Sequence, residues 1–279
     1  MLPGLSDPPA IFGHEGAGIV RAIGGKVHDK SIQVGDPVLL SYSFCRTCKQ
    51  CSKGESAKCM NGLTNLMSTR SDGTTSSKRK SDGKVLKSQF FGQSSFSRMS
   101  VVRESCVVKF PGKAEEMGIY SACGCGFQTG AGTILNILKP KVDESVVIFG
   151  MGSVGLTALM GAKYLGLNQI IVVDLIESRL NLAKELGATH VVNAKDYPEM
   201  AKHMVELTAG GAAYCIDCTG VPKVIESTIE CIAPYGTAVS VGMAPSGSKV
   251  SLDPAMFMLQ NKNFIGCTEG GSITYEVSS

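Results

Sequence analysis

The stretch 145–174 constrains the fold of this 279-residue chain more than any other. A short β-branched and aromatic run, 145–149, leads directly into Gly150-Met151-Gly152-Ser153-Val154-Gly155. Apolar residues then recur at helical spacing as far as Gly166, and a second apolar run ends on Asp174. The pattern predicts a strand, a tight turn, a helix and a second strand, which is the repeating unit of parallel sheets.

Each part of this unit has a chemical role in binding a dinucleotide. The first two glycines of a G-x-G-x-x-G let the backbone approach a pyrophosphate, and the third lets helix pack on strand. The helix N-terminus offers free N–H groups to the phosphates. An acidic residue about 20 positions further on, here Asp174, can bind the ribose hydroxyls of NAD and would repel the 2′-phosphate of NADP. A glycine-rich turn by itself need not bind any ligand. The prediction of NAD binding therefore depends on the complete strand-turn-helix-strand unit with its terminal Asp174.

The rest of the chain divides into a β-rich first part and an alternating second part. We predict early strands at 18–23, 36–40, 95–102 and 106–110, and an exposed polar loop at 68–88. We predict later strands at 145–149, 170–173, 190–192, 213–218, 237–241 and 263–266, with helices at 177–186, 200–207 and 222–231 between them. Six strands with intervening helices predict an α/β fold with a doubly wound parallel sheet.

Composition is that of a soluble globular protein, with 43% apolar and 18% charged residues. The net charge of +3 is too small to indicate a nucleic acid or an anionic membrane as partner. No apolar run reaches the roughly 18 residues of a membrane span, and no signal peptide opens the chain. Together with the metal-like spacing of several of its eleven cysteines, this favours a reducing, cytoplasmic compartment.

Four cysteines lie close together, as Cys45-x-x-Cys48-x-x-Cys51-x₇-Cys59. Zinc takes four thiolates in a tetrahedron, and a closed set of four leaves no open position for chemistry. The spacing therefore predicts a structural zinc whose binding contributes folding energy to a segment with few apolar residues. A disulfide pair or free surface thiols are the alternatives, and a reducing compartment disfavours the disulfide.

Two further motifs contain candidate metal ligands, Gly13-His14-Glu15-Gly16 and Cys123-Gly124-Cys125-Gly126. Neither is specific by itself. A single histidine beside glycines is more often structural, and a buried cysteine usually behaves as a small hydrophobe. Tyr42, just before the cysteine segment, is a candidate for the lining of a substrate pocket.

All of these motifs occur in one order: 13–18, the four cysteines, Cys125-Gly126-Phe127-Gln128-Thr129-Gly130, the 150–155 turn and Asp174. In that order they resemble the zinc-dependent medium-chain alcohol dehydrogenases over essentially the whole chain. The stretches 90–96 and 128–132 are most similar to the aryl- or benzyl-alcohol branch. The resemblance implies a partial β-rich, GroES-like zinc-binding catalytic domain at 1–126, a Rossmann NAD-binding domain at 127–270, and the start of a truncated C-terminal return at 271–279.

The resemblance also implies the roles of the metal-site residues. His14 and Cys125 match two of the three protein ligands of a catalytic zinc, and Glu15 matches an acidic residue near that metal. Such a zinc acts as a Lewis acid and lowers the pKa of a bound alcohol. A hydride then passes from the alcohol carbon to the nicotinamide.

Cofactor contacts follow from the resemblance in the same way. Arg179 matches a basic position beside the adenosine ribose, and Val241 and Met243 match a loop that faces the nicotinamide. The full set of cofactor positions is Gly150, Gly152, Ser153, Val154, Gly155, Asp174, Arg179, Val241 and Met243.

The chain departs from the family pattern at both ends. In the family, another cysteine ligand and a Ser or Thr that starts a proton relay lie upstream of the Gly-His-Glu motif. This chain begins thirteen residues before His14 and stops at Ser279. We therefore expect a truncated chain, either a fragment or a shortened gene model, with little turnover of its own.

The expected reaction is oxidation of a primary, aromatic alcohol to its aldehyde with hydride transfer to NAD. One alternative is an S-(hydroxymethyl)glutathione (formaldehyde) dehydrogenase. Another is a zinc- and NAD-binding protein without turnover, which would bind cofactor and form no aldehyde. The expected partners are a small-molecule alcohol and further copies of the chain, because relatives pair through the edge of the dinucleotide sheet.

Overall fold

The computed structural model describes residues 8–62, 69–70 and 73–274. The chain forms two compact units, one comprising 1–128 with 271–279 and the other 129–270. No helix in the described ranges is long and apolar enough to cross a membrane.

The first unit is built on short antiparallel strands. They are β1 (Ala17–Ile19), β2 (Pro37–Leu40), β3 (Ser77–Lys78), β4 (Val85–Leu86) and β5 (Val107–Lys109), and α1 (Met117–Tyr120) follows them. The next helix, α2 (Gly126–Gly132), contains the last residues of this unit and the first of the second. β2 lies between β1 and β5, and Leu39, Phe110 and Met117 form a small core beside this sheet. The loop predicted at 68–88 contains the β3–β4 hairpin, and residues 68, 71 and 72 of it lie outside the described residues.

A strand predicted at 95–102 does not form, so that prediction is wrong. The hydroxyls of Ser97 and Ser100 both donate to the carbonyl of Ser94, and this bends the chain. Serine side chains that bind nearby backbone compete in this way with strand pairing. Phe96, the aromatic residue of the segment, is 81% exposed.

The second unit is a parallel sheet with helices. Its strands are β6 (Ser145–Phe149), β7 (Gln169–Asp174), β8 (His190–Asn193), β9 (Ala212–Asp217), β10 (Ile232–Ser240) and β11 (Asn263–Gly266). Its helices are α3 (Ser153–Tyr164), α4 (Glu177–Glu185), α5 (Met200–Leu207), α6 (Pro222–Glu230) and α7 (Pro254–Leu259), with a π-helix at Thr133–Leu138. The strand order β11-β10-β9-β6-β7-β8 reverses direction between β6 and β9. This is the doubly wound Rossmann order, and it confirms the predicted fold class.

The central strand β6 is apolar at each of its four buried positions, 146–149. Alternate side chains of a strand point to opposite faces of the sheet. Val146 and Ile148 lie in the core cluster that includes α3, and Val147 and Phe149 lie in the cluster that includes α5 and α6. Full burial of such a side chain contributes about 1.5–3 kcal/mol. Both faces are covered, so an unpaired polar side chain at any of these four positions would be costly.

Candidate metal and dinucleotide sites

Four thiols lie close together in the segment 45–59. The Sγ atoms of Cys45, Cys48, Cys51 and Cys59 are all within 4.8 Å of one another. A zinc with four sulfur ligands at about 2.3 Å implies S–S distances of about 3.8 Å. The Sγ atoms of Cys45 and Cys51 are 3.9 Å apart, so the cluster fits zinc.

Backbone N–H groups point at these sulfur atoms. The N–H of Cys48 donates to Cys45 Sγ at 3.3 Å, and the N–H of Cys45 donates to Cys59 Sγ at 3.4 Å. Burial raises the pKa of Cys45, but hydrogen bonds from Thr47 and Cys48 outweigh it and lower this pKa to about 5. Burial raises the pKa of Cys51 to about 12. Since zinc binds thiolates, binding here would release the Cys51 proton.

One ion pair fixes the cysteine segment to the rest of the unit. Arg46 Nη1 lies 2.9 Å from Glu104 Oε2, and Glu104 Oε1 accepts hydrogen bonds from the N–H groups of His28 and Asp29 at 3.0 and 2.6 Å. Burial raises the pKa of Glu104, but the Asp29 N–H and the Arg46 charge outweigh it and leave this pKa below its usual value. Glu104 is therefore a charged anchor at neutral pH.

His14 is half-buried among aromatic side chains. Its imidazole stacks on the ring of Phe91, with a centroid distance of 4.5 Å and an interplanar angle of 28°. Phe90 meets the imidazole edge-on at 5.6 Å, and Phe12 in turn meets the Phe90 ring edge-on at 5.3 Å. Burial lowers the pKa of His14, while the charge of Glu15 raises it, and burial is the larger effect. The neutral imidazole is the form that ligates metals.

Glu15 joins the His14 segment to the Cys125 segment. Its Oε1 accepts a hydrogen bond from the N–H of Gly126 at 2.9 Å, directly after the half-buried Cys125. A Cβ on Gly124 would lie 2.0 Å from the Leu40 carbonyl oxygen, so this loop packs tightly against β2. An imidazole and a thiol on neighbouring segments are donors that zinc takes in catalytic sites. The structure thus joins the segments that follow His14 and Cys125 through Glu15 and Gly126, and the role of His14 and Cys125 as zinc ligands stays a prediction. Within the described ranges, the four-cysteine cluster is the group with three or more such donors close together.

The glycine-rich turn has the conformation that close approach to a phosphate needs. Gly150 has a φ of +92°, and its N–H donates to the Val173 carbonyl at 2.7 Å. A Cβ on Gly155 would lie 1.8 Å from the Gly150 carbonyl oxygen, so α3 packs directly on the turn. A Cβ on Gly152 would meet nothing within 4 Å. The turn therefore leaves an open face at Gly152, beside the N-terminus of α3, and this fits a pyrophosphate.

The carboxylate of Asp174 lies beside this turn and is hydrogen-bonded to it. Its Oδ2 accepts a hydrogen bond from the N–H of Met151 at 2.6 Å. Its Oδ1 accepts from the N–H groups of Leu175 and Ile176 at 2.7 and 2.9 Å. The side chain of Arg179, 48% exposed, places Nη1 3.8 Å from Asp174 Oδ2. The sequence did not predict this second, structural role of the carboxylate.

The remaining predicted cofactor residues lie around the same edge of the sheet. Ser153 is exposed at the first position of α3, and Val154 follows it half-buried. The N–H of Val241 donates to the Asp217 carbonyl at 2.9 Å, just beyond β10. Met243, 68% exposed, follows two residues later.

Asp217 is a buried acidic residue that sequence reasoning missed. It ends β9 as Asp174 ends β7, and it pairs with Phe149 of β6. Its Oδ1 accepts from the N–H and hydroxyl of Thr219 at 2.9 and 2.6 Å, and its Oδ2 accepts from the N–H of Gly220 at 3.1 Å. An acidic residue at the end of an apolar strand was the available signal, since the strand predicted at 213–218 contained it.

Tyr42 lies inside the first unit, where it is 5% exposed. Its hydroxyl is 2.7 Å from Ser56 Oγ and donates to the Ser272 carbonyl at 2.6 Å. These contacts fix the hydroxyl against protein atoms, and a role in a substrate pocket stays a prediction.

Two protein-family models match successive parts of the chain. Residues 2–112 match the alcohol dehydrogenase GroES-like domain, and residues 153–278 match the zinc-binding dehydrogenase family. The S-(hydroxymethyl)glutathione dehydrogenase of Komagataella pastoris is 35% identical over 271 residues, which are 94% of this chain and 69% of that protein. The chain belongs to the zinc-dependent medium-chain alcohol dehydrogenase family.

Other members of this family are similar to a comparable degree. Geraniol dehydrogenase of Castellaniella defragrans is 38% identical over 237 residues, covering 84% of this chain. The chain spans 62% of that relative's length. The crystal structure of benzyl alcohol dehydrogenase from Acinetobacter calcoaceticus superposes with a TM-score of 0.85 at 36% identity, covering 96% of this chain and 71% of that one. The predicted family, the GroES-like first domain and the Rossmann-type sheet are thereby confirmed.

Proposed function

We propose that this chain contains the zinc and cofactor sites of a dehydrogenase that oxidises a primary, aromatic alcohol to its aldehyde with NAD. Membership of the alcohol dehydrogenase family supports the reaction class. The observation that carries the substrate class is the aromatic cluster at His14, in which Phe90 and Phe91 contact the imidazole and Phe12 packs on Phe90. A stacked or edge-on aromatic pair contributes about 0.5–1.5 kcal/mol beyond its area burial, so these rings favour an aromatic substrate. The 36% identity with a benzyl alcohol dehydrogenase supports the same class.

His14 and Cys125 would bind the catalytic zinc, which when bound supplies a Lewis acid that lowers the pKa of an alcohol. Glu15 fixes the Cys125 segment through its hydrogen bond with Gly126. The rings of Phe90 and Phe91 cover part of the half-buried imidazole. A low-dielectric surrounding of this kind strengthens the interaction of fixed groups with developing charge.

The open face at Gly152 and the carboxylate of Asp174 support NAD as cofactor. Asp174 is 9% exposed and lies beside the turn. A ribose with two free hydroxyls can donate to it, whereas a 2′-phosphate would bring like charges together. Arg179 partly offsets this charge, so we expect a preference for NAD and not an absolute exclusion of NADP.

We also propose that the four-cysteine cluster, whose Sγ atoms lie within 4.8 Å of one another, holds a structural zinc.

We propose further that the protein is a homo-oligomer. All four residues of the edge strand β11 are exposed, and two of them are Phe264 and Ile265. An exposed apolar edge strand can pair with another chain. The mass of the protein in solution, measured by light scattering, would exceed that of one chain.

Native mass spectrometry of the protein purified from its source would measure its length, bound zinc and bound cofactor together. The same preparation is then assayed with NAD and benzyl alcohol, geraniol or S-(hydroxymethyl)glutathione. We expect the highest kcat/KM with benzyl alcohol. A higher value with S-(hydroxymethyl)glutathione would support the glutathione-adduct reaction instead. Cofactor binding without aldehyde formation from any alcohol would refute the enzyme assignment.

A further inference from the structure

Three polar side chains are buried between the His14 and Cys125 segments of the first unit. They are Ser41, Gln93 and Gln128. Burying a polar group is unfavourable unless it forms hydrogen bonds. Their hydrogen bonds therefore show what these side chains do in the fold.

Gln93 fixes the backbone around His14. Its Nε2 donates to the carbonyl of His14 at 2.8 Å and to the carbonyl of Ser41 at 2.9 Å. Its Oε1 accepts from the N–H of Gly16 at 3.2 Å. One buried amide thus binds both His14 and the residue two positions after it.

Ser41 and Gln128 continue this set of hydrogen bonds to the residue before Cys125. The Ser41 hydroxyl donates to the Gly124 carbonyl at 2.7 Å. Gln128 Nε2 donates to Ser41 Oγ at 2.9 Å and to the Gly124 carbonyl at 2.8 Å. A continuous path of buried hydrogen bonds therefore connects the backbone of His14 with that of the Cys125 loop.

The loop that contains Gln93 also contacts the imidazole ring of His14. Phe91, on which the imidazole stacks, has a φ of +53°, which is uncommon for a residue other than glycine. Gly92 follows with a φ of +77°, and a Cβ there would lie 2.6 Å from Ser43 Cβ and 2.8 Å from Cys106 Sγ. The close approach at Gly92 leaves this turn little freedom. It therefore fixes the Phe91 ring against His14.

We propose that Gln93 is a positioning residue for His14, with Phe91 fixing the orientation of the ring. This rests on the proposed function, in which His14 ligates the catalytic zinc. Partners that orient a metal ligand typically change metal affinity or activity about 10- to 100-fold when removed. Gln93 touches neither metal nor substrate in this role and acts through His14.

Gln89 provides a matched control in the same loop. It is buried like Gln93, and its Nε2 also donates to two carbonyls, those of Ser88 and Val101 at 2.9 and 2.8 Å. Gln93→Leu and Gln89→Leu both remove a buried amide and its two donated bonds. Only Gln93→Leu removes a bond to His14.

The test is NMR of the whole protein with ¹³C-labelled histidine rings, before and after addition of zinc. The chain has four histidines, so His28, His190 and His203 report general unfolding. Gln93→Leu should shift and broaden the His14 ring signal and weaken zinc binding at that site about 10- to 100-fold. Phe91→Leu should shift the same signal, and Phe91→Tyr, which keeps a ring, should restore it.

An unchanged His14 signal in Gln93→Leu, or an equal change in Gln89→Leu, would overturn the proposal. If Gln93→Leu does not fold, Gln93→Glu replaces it, since this variant keeps the acceptor for the Gly16 N–H but removes both donors. An unchanged His14 ring signal in Gln93→Glu would then overturn the proposal. The ring signal is read without metal. Failure to bind zinc at His14 in the unmodified protein would therefore refute the proposed function and not the positioning role.

Discussion

Alanine substitutions at Gly152 and Gly155 should separate cofactor binding from folding at the glycine-rich turn. The two glycines are three positions apart and belong to one motif. Gly152 faces open space, whereas a Cβ on Gly155 would lie 1.8 Å from the Gly150 carbonyl oxygen. We therefore expect Gly152→Ala to weaken dinucleotide binding without changing the stability of the fold. Gly155→Ala should lower the stability of the fold as well.

The cost of Gly155→Ala follows from that contact. The obstacle is backbone, so α3 must shift relative to the turn, and overpacking of this kind costs typically about 1–3 kcal/mol. Alanine in place of glycine within a helix increases the free energy of unfolding by about 1 kcal/mol. Because the contact is so short, the cost should lie at or above the top of its range, which leaves a net loss of about 2 kcal/mol. The melting temperature should then fall by roughly 4–8 °C.

Opposing effects nearly cancel for the stability of Gly152→Ala. Gly152 has φ −78° and ψ −168°, which alanine adopts without strain. Alanine is a poorer N-cap than glycine by up to about 1 kcal/mol. It also reduces the freedom of the unfolded chain, which contributes about 0.4–1 kcal/mol in the other direction. The melting temperature should stay within roughly 2 °C of the unmodified protein.

Binding should respond differently, because the added methyl projects from the open face. A methyl that keeps the backbone away from a pyrophosphate by a bond length should weaken dinucleotide binding roughly 10- to 100-fold, or about 1.4–2.8 kcal/mol. Nicotinamide fluorescence measures the Kd of NADH directly, since the chain has no tryptophan to emit beside it. Circular dichroism gives the melting temperatures of the same samples. Unchanged NADH affinity in Gly152→Ala would refute the pyrophosphate assignment, and unchanged melting of Gly155→Ala would refute the close packing of α3.

Three other substitutions test separate parts of the structure. Cys51→Ser should remove one zinc per chain and lower the melting temperature, while Cys106→Ser, at a buried thiol outside the cluster, should keep the metal. Plasma mass spectrometry counts the zinc, and full zinc content in Cys51→Ser would exclude the structural site. Asp174→Gly should narrow or reverse the NAD preference, because Arg179 remains to attract a 2′-phosphate. Equal Kd values for NAD and NADP in the unmodified protein would contradict this. The lowered pKa of Glu104 means that its carboxylate stabilises the fold above the unfolded value of 4.5 and loses that effect as the pH falls through the folded value. In urea titrations Glu104→Gln should therefore cost about 1–3 kcal/mol at pH 7 and little in acid, and a cost independent of pH would exclude the ionic role.

The parallel sheet was predictable because its signals are local. The apolar run of β6, the glycine turn and Asp174 lie within one continuous stretch, and each has a fixed geometric reason. The cysteine cluster was predictable for the same reason, since all four thiols belong to the segment 45–59.

The hydrogen bonds around His14 were not predictable from local pattern. Gln93 binds His14 across 79 positions and Ser41 across 52, and no periodicity in the sequence reports such a pair. The missing strand at 95–102 has a related cause. Its sequence has strand character, but the serine hydroxyls of Ser97 and Ser100 bind the carbonyl of Ser94 instead.

The carboxylate of Asp174 has a thermodynamic consequence for ligand binding. Its hydrogen bond with the Met151 N–H orders the glycine turn without any bound molecule. Fixing the backbone of one residue costs roughly 1–2 kcal/mol of conformational entropy. In this turn that entropy is lost when the chain folds, before any ligand binds. A dinucleotide therefore encounters a turn that is already in place, and more of its contact energy becomes affinity. The acidic side chain that we propose to bind the ribose would thus also preorganise the phosphate site.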